Sequence, residues 1–237
     1  MELKETVSQT AQGTAAQLTL EELHECRKRW RTHFGESHKP VPSEEPTPDQ
    51  LAAIKHLITS GKVPYVDFAV FGPNAHRQQK RQRLTGLVFN NSGELVQVEL
   101  AGPPTFHMWK ACFAVYRNEL LMLGAVDMGN LVEYERHIND FYTRFCEKCY
   151  CLLYQVDVRA RSELFGRINM EAYGMYQDLT EKNNGVPPEG LEYKPQRPWN
   201  YVFNYALTEK CSNWWYKELE YQALIIATTN LSPEQII

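Results

Sequence analysis

Residues 106–123, with the sequence FHMWKACFAVYRNELLML, carry apolar side chains on almost every side of a helical projection. The apolar members of this stretch include Trp109, Cys112, Phe113, Val115, Tyr116, Leu120, Leu121 and Leu123. A helix that is apolar on all sides avoids water only when other elements surround it. The stretch therefore predicts a central, buried helix around which the rest of the chain packs.

Two capping boxes mark the starts of helices nearer the N-terminus. Residues 19–22, Thr-Leu-Glu-Glu, place a hydroxyl at the N-cap and a glutamate three residues later. Residues 47–50, Thr-Pro-Asp-Gln, repeat the arrangement with a proline at the first helical position. The pattern predicts one helix that ends at about Phe34 and a second that ends at Gly61.

Apolar residues at spacings of three and four predict further helices after the central one. One stripe, which we expect Asn130 to cap, consists of Leu131, Tyr134, Ile138, Phe141 and Phe145. The next stripe consists of Leu153, Val156, Ala160, Leu164 and Ile168. Residues 199–227 are predicted to form a last, aromatic helical region.

Between the second helix and the central one, the pattern changes to that of β-strands. Residues 63–71 are short, β-branched and aromatic, and residues 84–89 and 94–100 flank a turn at 90–93. The predicted fold class is α+β and predominantly helical. In it, a helical body packs on a small antiparallel sheet of about three strands within residues 63–101.

The composition of individual segments suggests how the chain is divided. The predicted segments are a disordered tail at 1–17, an N-terminal helix and proline-rich linker at 18–46, a main α+β domain at 47–179, a linker at 180–198, a C-terminal aromatic segment at 199–230 and the start of a helix at 231–237. Because one turn of helix is not stable by itself, we expect the chain to be a fragment of a longer polypeptide.

The overall composition excludes several classes of protein. The net charge of −4 provides no general attraction to nucleic acid or to an anionic membrane. The first residues lack the apolar region of a signal peptide, and no stretch approaches the roughly 20 apolar residues that span a bilayer. Six unevenly spaced cysteines do not resemble a secreted disulfide framework. We therefore expect an intracellular protein, in the cytoplasm or nucleus, with no membrane partner.

Three cysteines lie close together near a histidine, which raises the question of a metal site. Cys146, Cys149 and Cys151 follow His137, and zinc binds four such ligands in a tetrahedron. Structural zinc sites commonly use two separated pairs of ligands, whereas these thiols crowd one short segment. The favoured interpretation is that the thiols fill a helical core, and no cofactor is predicted.

The helix predicted after residue 150 carries opposite charges four residues apart. Asp157 faces Arg161, and Arg159 faces Glu163. Such pairs commonly lie on a solvated helix face. A functional alternative is that Asp157 is buried against Arg161 beside a pocket, where Arg159 and Arg161 bind a carboxylate or phosphate.

A basic loop is the clearest local indication of a nucleic-acid partner. The residues that would contact phosphates are His76, Arg77, Lys80, Arg81 and Arg83. The alternative is an exposed loop whose charges keep the protein soluble.

The leading functional hypothesis is a non-catalytic interaction or scaffolding module. Its partner would be another protein or flanking domains of the same polypeptide, contacted through Trp199, Trp214 and Trp215. The alternative is that these rings pack in the core of the domain. The alternative function is nucleic-acid binding through the basic loop at residues 76–83. A third hypothesis, an enzyme, requires ionisable groups to converge in one cleft, namely Asp67, Asp157, Arg161, His137 or the thiols.

Overall fold

A computed structural model describes residues 17–35, 41–73, 81–90, 92–145 and 149–229 of the chain. Nearly all of the predicted tail at 1–17 and the helix start predicted at 231–237 lie outside the described residues. Basic-loop residues His76, Arg77 and Lys80, together with Cys146, also lie outside them.

The described residues form an α+β fold that is predominantly helical, which confirms the predicted class. The helices are α1 (Leu20–Phe34), α2 (Pro48–Thr59), α3 (Phe106–Met122), α4 (Met128–Phe145), α5 (Tyr150–Arg159), α6 (Phe165–Lys182), α7 (Pro198–Tyr205) and α8 (Glu209–Thr229). The strands β1 (Arg83–Phe89) and β2 (Leu95–Ala101) pair antiparallel. None of the described helices combines the length and apolar character needed to cross a lipid bilayer.

Helix α3 lies at the centre of the molecule, as its all-round apolar sequence predicts. Its buried side chains include Trp109, Cys112, Phe113, Val115, Tyr116, Leu120 and Leu121. Helix α1 packs against it through a smaller cluster formed by Cys26, Trp30, Leu51 and Met122. The N-terminal helix is therefore docked on the body.

The helix starts follow the predicted capping with one exception. Thr19 and Thr47 both form complete capping boxes, so the predicted starts of α1 and α2 are confirmed. The prediction that Asn130 caps the following helix is wrong, because α4 begins at Met128. The Asn130 side chain instead donates to the backbone and side-chain oxygens of Asn200, at 3.0 and 2.9 Å, and so connects α4 to α7.

The predicted hairpin is confirmed, but the strand predicted at residues 63–71 is not present. That segment has no β pairing up to Asp67, and residues 68–70 then form a turn. Its carbonyl groups bind side chains: Pro64 accepts from Tyr116 at 2.7 Å, and Val66 accepts from Arg161 at 2.8 Å. The described sheet has two strands because side chains satisfy carbonyls that a third strand would use.

The sheet packs closely on α5. An added Cβ at Gly102 would lie 2.6 Å from both Leu84 Cδ2 and Tyr154 Cδ1, well inside van der Waals contact. The backbone reaches α5 at this position because glycine has no side chain.

We expect Gly102→Ala to destabilise the fold by about 1–3 kcal/mol, because the methyl group forces the Tyr154 ring or the hairpin to move. Gly174→Ala is the matched control, because an added Cβ there meets no atom within 4 Å inside helix α6. Alanine favours the helix by up to about 1 kcal/mol over glycine. Urea unfolding measures both changes, and equal effects of the two substitutions would contradict the packing described.

Candidate functional site

A buried ion pair joins the longest helical region of the chain to the core. Asp157 and Arg161 both have side chains with 0% exposure, and Arg161 Nη2 lies 2.7 Å from Asp157 Oδ2. Arg161 Nε donates to both carboxylate oxygens at 3.1 Å. The i,i+4 contact predicted from the sequence is confirmed, and the pair is enclosed rather than solvated.

The remaining partners of this pair come from distant parts of the chain. Trp109 Nε1 of α3 donates to Asp157 Oδ2 at 2.9 Å, and the Tyr134 hydroxyl of α4 donates to Oδ1 at 2.9 Å. The Arg161 guanidinium also lies over the Phe68 ring, 3.9 Å from its centroid. Hydrogen bonds and a ring face thus replace the water that both charges lose on burial.

The electrostatics of the site keep the Arg161 guanidinium charged. Burial disfavours the guanidinium cation, but the charge and hydrogen bonds of Asp157 outweigh it and raise the pKa of Arg161 well above its usual value. Burial, followed by the negative charge of Asp157, raises the pKa of Tyr134 well above its usual value. Burial raises the pKa of Tyr65, which lies beside Arg161, to about 12. Both tyrosines therefore stay neutral, and Tyr134 donates its hydroxyl proton to Asp157.

This geometry changes the interpretation of the two arginines predicted to bind an anion. Arg161 already binds the carboxylate of Asp157 in an enclosed position, so an external carboxylate or phosphate has no access to it. Arg159 pairs with Glu163 at 2.6 Å, as its spacing predicts, and lies 3.8 Å from Glu218 of α8. Arg161 therefore stabilises the core, whereas Arg159, whose side chain is 35% exposed, forms a pair that solvent can reach.

Two residues of the predicted nucleic-acid site are described, and both bind carboxylates. Arg81 forms an ion pair with Asp67, and Arg83 Nη1 lies 2.9 Å from Glu99 Oε2. Asp67 also accepts from the Tyr154 hydroxyl at 3.4 Å. This accounts for a carboxylate within an otherwise apolar segment, since Asp67 joins the segment to α5 and to the start of β1.

The possible metal ligands predicted around His137 are described only in part, because Cys146 lies outside the described residues. The His137 ring packs on Trp215 with centroids 4.6 Å apart, and burial lowers its pKa to about 4. Cys151 is buried on α5, and Cys149 lies just before that helix. Among the described residues, no group of three or more His, Cys, Asp or Glu side chains could hold a metal ion.

The predicted tryptophan surface is corrected, because two of its three residues belong to the core. Trp199 and Trp215 are each 1% exposed. Trp214 is partly buried, and its ring meets that of Trp215 edge to face with centroids 5.3 Å apart. Trp199, Phe203 and Trp215 fill the interior, whereas Tyr216 and Tyr221 of α8 are 40% and 49% exposed. Little of the exposed aromatic area therefore belongs to tryptophan.

A buried glutamate on α3 is an ionisable group that sequence reasoning missed. Glu119 has 0% exposure, and neither of its carboxylate oxygens has a hydrogen-bond partner. Burial raises its pKa well above the usual value. The sequence signal was available, since Glu119 lies four residues after Val115 and four before Leu123 on a helix that is apolar on all sides.

The second missed feature is a stripe on α6 that continues past the core. We define the α6 stripe as Phe165, Ile168, Ala172, Met175 and Leu179, at alternating spacings of three and four. Its first three residues are buried, whereas Met175 is 64% and Leu179 37% exposed. The repeat is readable from the sequence, but its burial in only one half is not.

No family model, curated protein or solved structure matched the chain.

We expect Arg161→Leu to destabilise the protein by about 3–5 kcal/mol, because it leaves the Asp157 carboxylate buried without its cation. The control is Arg136→Leu on α4, whose guanidinium is 61% exposed and pairs with Glu133 and Asp140. Solvent competes with that surface network, so its loss has a much smaller effect. Equal losses in chemical denaturation would show that burial of the Asp157–Arg161 pair is not what matters.

The substitution Glu119→Gln tests whether the buried carboxyl group makes the stability of the protein depend on pH. The raised pKa means that the folded chain keeps the proton above pH 4.5, the usual value, where the unfolded chain releases it. Stability from this group is therefore present at low pH and decreases as the pH rises toward the folded pKa. We expect the stability of the variant relative to the native chain to increase with pH, by at most about 1.4 kcal/mol per pH unit. Urea unfolding across mildly acidic to alkaline buffers measures this difference, and a constant difference would contradict it.

Proposed function

We propose that this chain is a non-catalytic intracellular interaction module that binds a protein partner through helix α6. The observation that carries the proposal is the α6 stripe, whose apolar pattern continues where the core ends. Met175 and Leu179 occupy the same helix face as Ile168 and Ala172, yet they are exposed. We take this exposed continuation of a buried stripe as the surface that a partner would cover, because contiguous exposed apolar patches mark interaction sites.

The enclosed ion pair supports a binding role over a catalytic one. Asp157 and Arg161 are the predicted catalytic candidates that meet, and each is fully buried. Their hydrogen-bonding groups are used by Trp109, Tyr134 and Val66. A catalytic group has to reach a substrate, and these groups reach only each other and the core.

Nucleic-acid binding is less well supported than protein binding. Arg81 and Arg83 are already paired with carboxylates, so a phosphate would have to displace Asp67 and Glu99. The idea then depends on His76, Arg77 and Lys80, which lie outside the described residues.

An interaction module should be bound to its partner in a cell extract. We expect the chain in a cell extract to elute from a gel-filtration column ahead of the purified 27.5 kDa monomer, as part of a larger assembly. Nuclease treatment should leave this elution unchanged, because the assembly is held by protein contacts.

The same experiment separates the alternatives. An extract in which the chain elutes as a monomer would refute the interaction module. Collapse of the assembly on nuclease treatment, together with a steep loss of binding in added salt, would favour the nucleic-acid hypothesis.

A further inference from the structure

The hydrogen bonds of the hairpin show which backbone groups of β2 point away from β1. Gly102 N donates to Gln82 O at 3.0 Å, and Asn90 N donates to Glu94 O at 2.9 Å. Because the strands pair antiparallel in one continuous register, every second residue of β2 directs its N–H and C=O groups toward β1. The residues between them direct theirs outward, and they are Leu95, Gln97, Glu99 and Ala101.

These outward-pointing groups form an unpaired edge in the part of the chain that the structure describes. No hydrogen bond from another described residue reaches the backbone of Leu95, Gln97, Glu99 or Ala101. Helix α8 packs against the other strand, β1. An unpaired strand edge is a template for pairing with another strand, since its donors and acceptors are already aligned.

We propose that β2 pairs antiparallel with β2 of a second copy of this chain, so that two hairpins form one four-stranded sheet. A twofold axis beside Val98 sets Leu95 opposite Ala101, and Gln97 opposite Glu99, of the second copy. All the outward-pointing residues of β2 then exchange backbone hydrogen bonds with the second copy. This inference goes beyond the proposed function and does not involve α6.

The exposed side chains of β2 fit this register. Arg83 Nη1 binds Glu99 Oε2 within each chain at 2.9 Å, which offsets the charge and leaves Oε1 to accept from the Gln97 amide of the second copy. Leu95, which is 54% exposed, lies opposite another apolar residue, Ala101. A shift of two residues in one direction would set Glu99 opposite Glu99, and a shift in the other direction would set Leu95 opposite Glu99. Both alternatives are less favourable, so the side chains select one register.

The opposite face of β2 is apolar and fits the same register. Val98 is 4% exposed, and Val96 and Leu100 are partly buried against the main core. A twofold axis perpendicular to the sheet keeps this face on one side in both copies. It sets Val96 opposite Leu100 of the second copy, and so the apolar surface continues across the axis. A slip of one residue would turn these side chains toward water.

The small size of the contact predicts a weak dimer. Strand β2 has seven residues, and small interfaces are typical of transient association. We therefore expect a monomer in dilute solution and a dimer in concentrated solution. Because the chain is dilute in a cell extract, this pairing does not account for a larger assembly there.

The first test combines sedimentation with residue-resolved amide hydrogen exchange on the purified full chain, from about 50 μM to about 1 mM. We expect the sedimenting mass to rise toward twice the 27.5 kDa of one chain. Over the same range, exchange at Leu95, Gln97, Glu99 and Ala101 should slow several-fold. The amides that bond to β1 should be slow throughout.

Three results of this test would overturn the proposal. One is a mass that stays at 27.5 kDa at every concentration. Another is a dimer that leaves exchange at the outward-pointing amides unchanged, because its interface would then lie elsewhere. The third is slow exchange of these amides already in dilute solution, which would show that the chain itself covers the edge.

Charge variants at position 97 test the register. Gln97→Lys places a cation opposite Glu99 of the second copy, and Gln97→Glu places an anion there. Because the axis repeats this pair, we expect the first variant to tighten the dimer and the second to weaken it, each by roughly 2- to 10-fold. The matched controls are Ser92→Lys and Ser92→Glu, since Ser92 is exposed in the hairpin turn.

The controls separate cross-strand pairing from net charge. Thermal melts in dilute solution should match that of the native chain for every variant, because positions 92 and 97 are both exposed. Equal effects at the two positions, or changes of the same sign for both Gln97 variants, would overturn the proposed register.

Discussion

The buried pair of Asp157 and Arg161 is the interaction on which the rest of the structure depends. Removing two charges from water is unfavourable by several kcal/mol each, so a buried pair is stable only when its hydrogen bonds are complete. The hydrogen bonds of this pair are complete only when Trp109 of α3, Tyr134 of α4 and the carbonyl of Val66 are all in place. A misplaced element would leave a buried charge without its partner, which makes the arrangement specific as well as stable.

The same pair fixes the direction of the helix that carries the proposed surface. Arg161 lies in a π-helical turn, Ala160–Leu164, which connects α5 to α6 without a break. Because α5 is held by the sheet on one side and by the ion pair on the other, α6 leaves the body at a set angle. The C-terminal half of α6 extends past the core. The buried ion pair therefore influences which residues of α6, farther along the chain, are exposed to solvent.

Local patterns made much of this fold predictable, and long-range contacts account for what was missed. The capping boxes at Thr19 and Thr47 and the hairpin are set by neighbouring residues, so the sequence predicted them correctly. Residues 63–71 looked like a strand, but their carbonyls bind Tyr116 and Arg161, whose positions no local pattern reveals. The spacing of Asp157 and Arg161 predicted that the two side chains meet. The burial of this ion pair, however, depends on Trp109 and Tyr134 from other helices. The α6 stripe was likewise visible as a repeat, but where the core ends along it is a property of the assembled fold.

The continuity of α6 with an anchored helix explains why an exposed surface can exist before a partner arrives. Starting a helix is unfavourable, but extending one adds a hydrogen bond for each residue fixed, so the exposed half needs little packing of its own. Because this surface is already helical, no conformational entropy is lost in ordering it when a partner binds, and this favours binding. Met175 and Leu179 are exposed, so we expect substitutions there to affect the proposed binding far more than folding. In the proposed role, stability and recognition are separated along one helix, with the ion pair and Phe165 at the end that folds and Leu179 at the end proposed to bind.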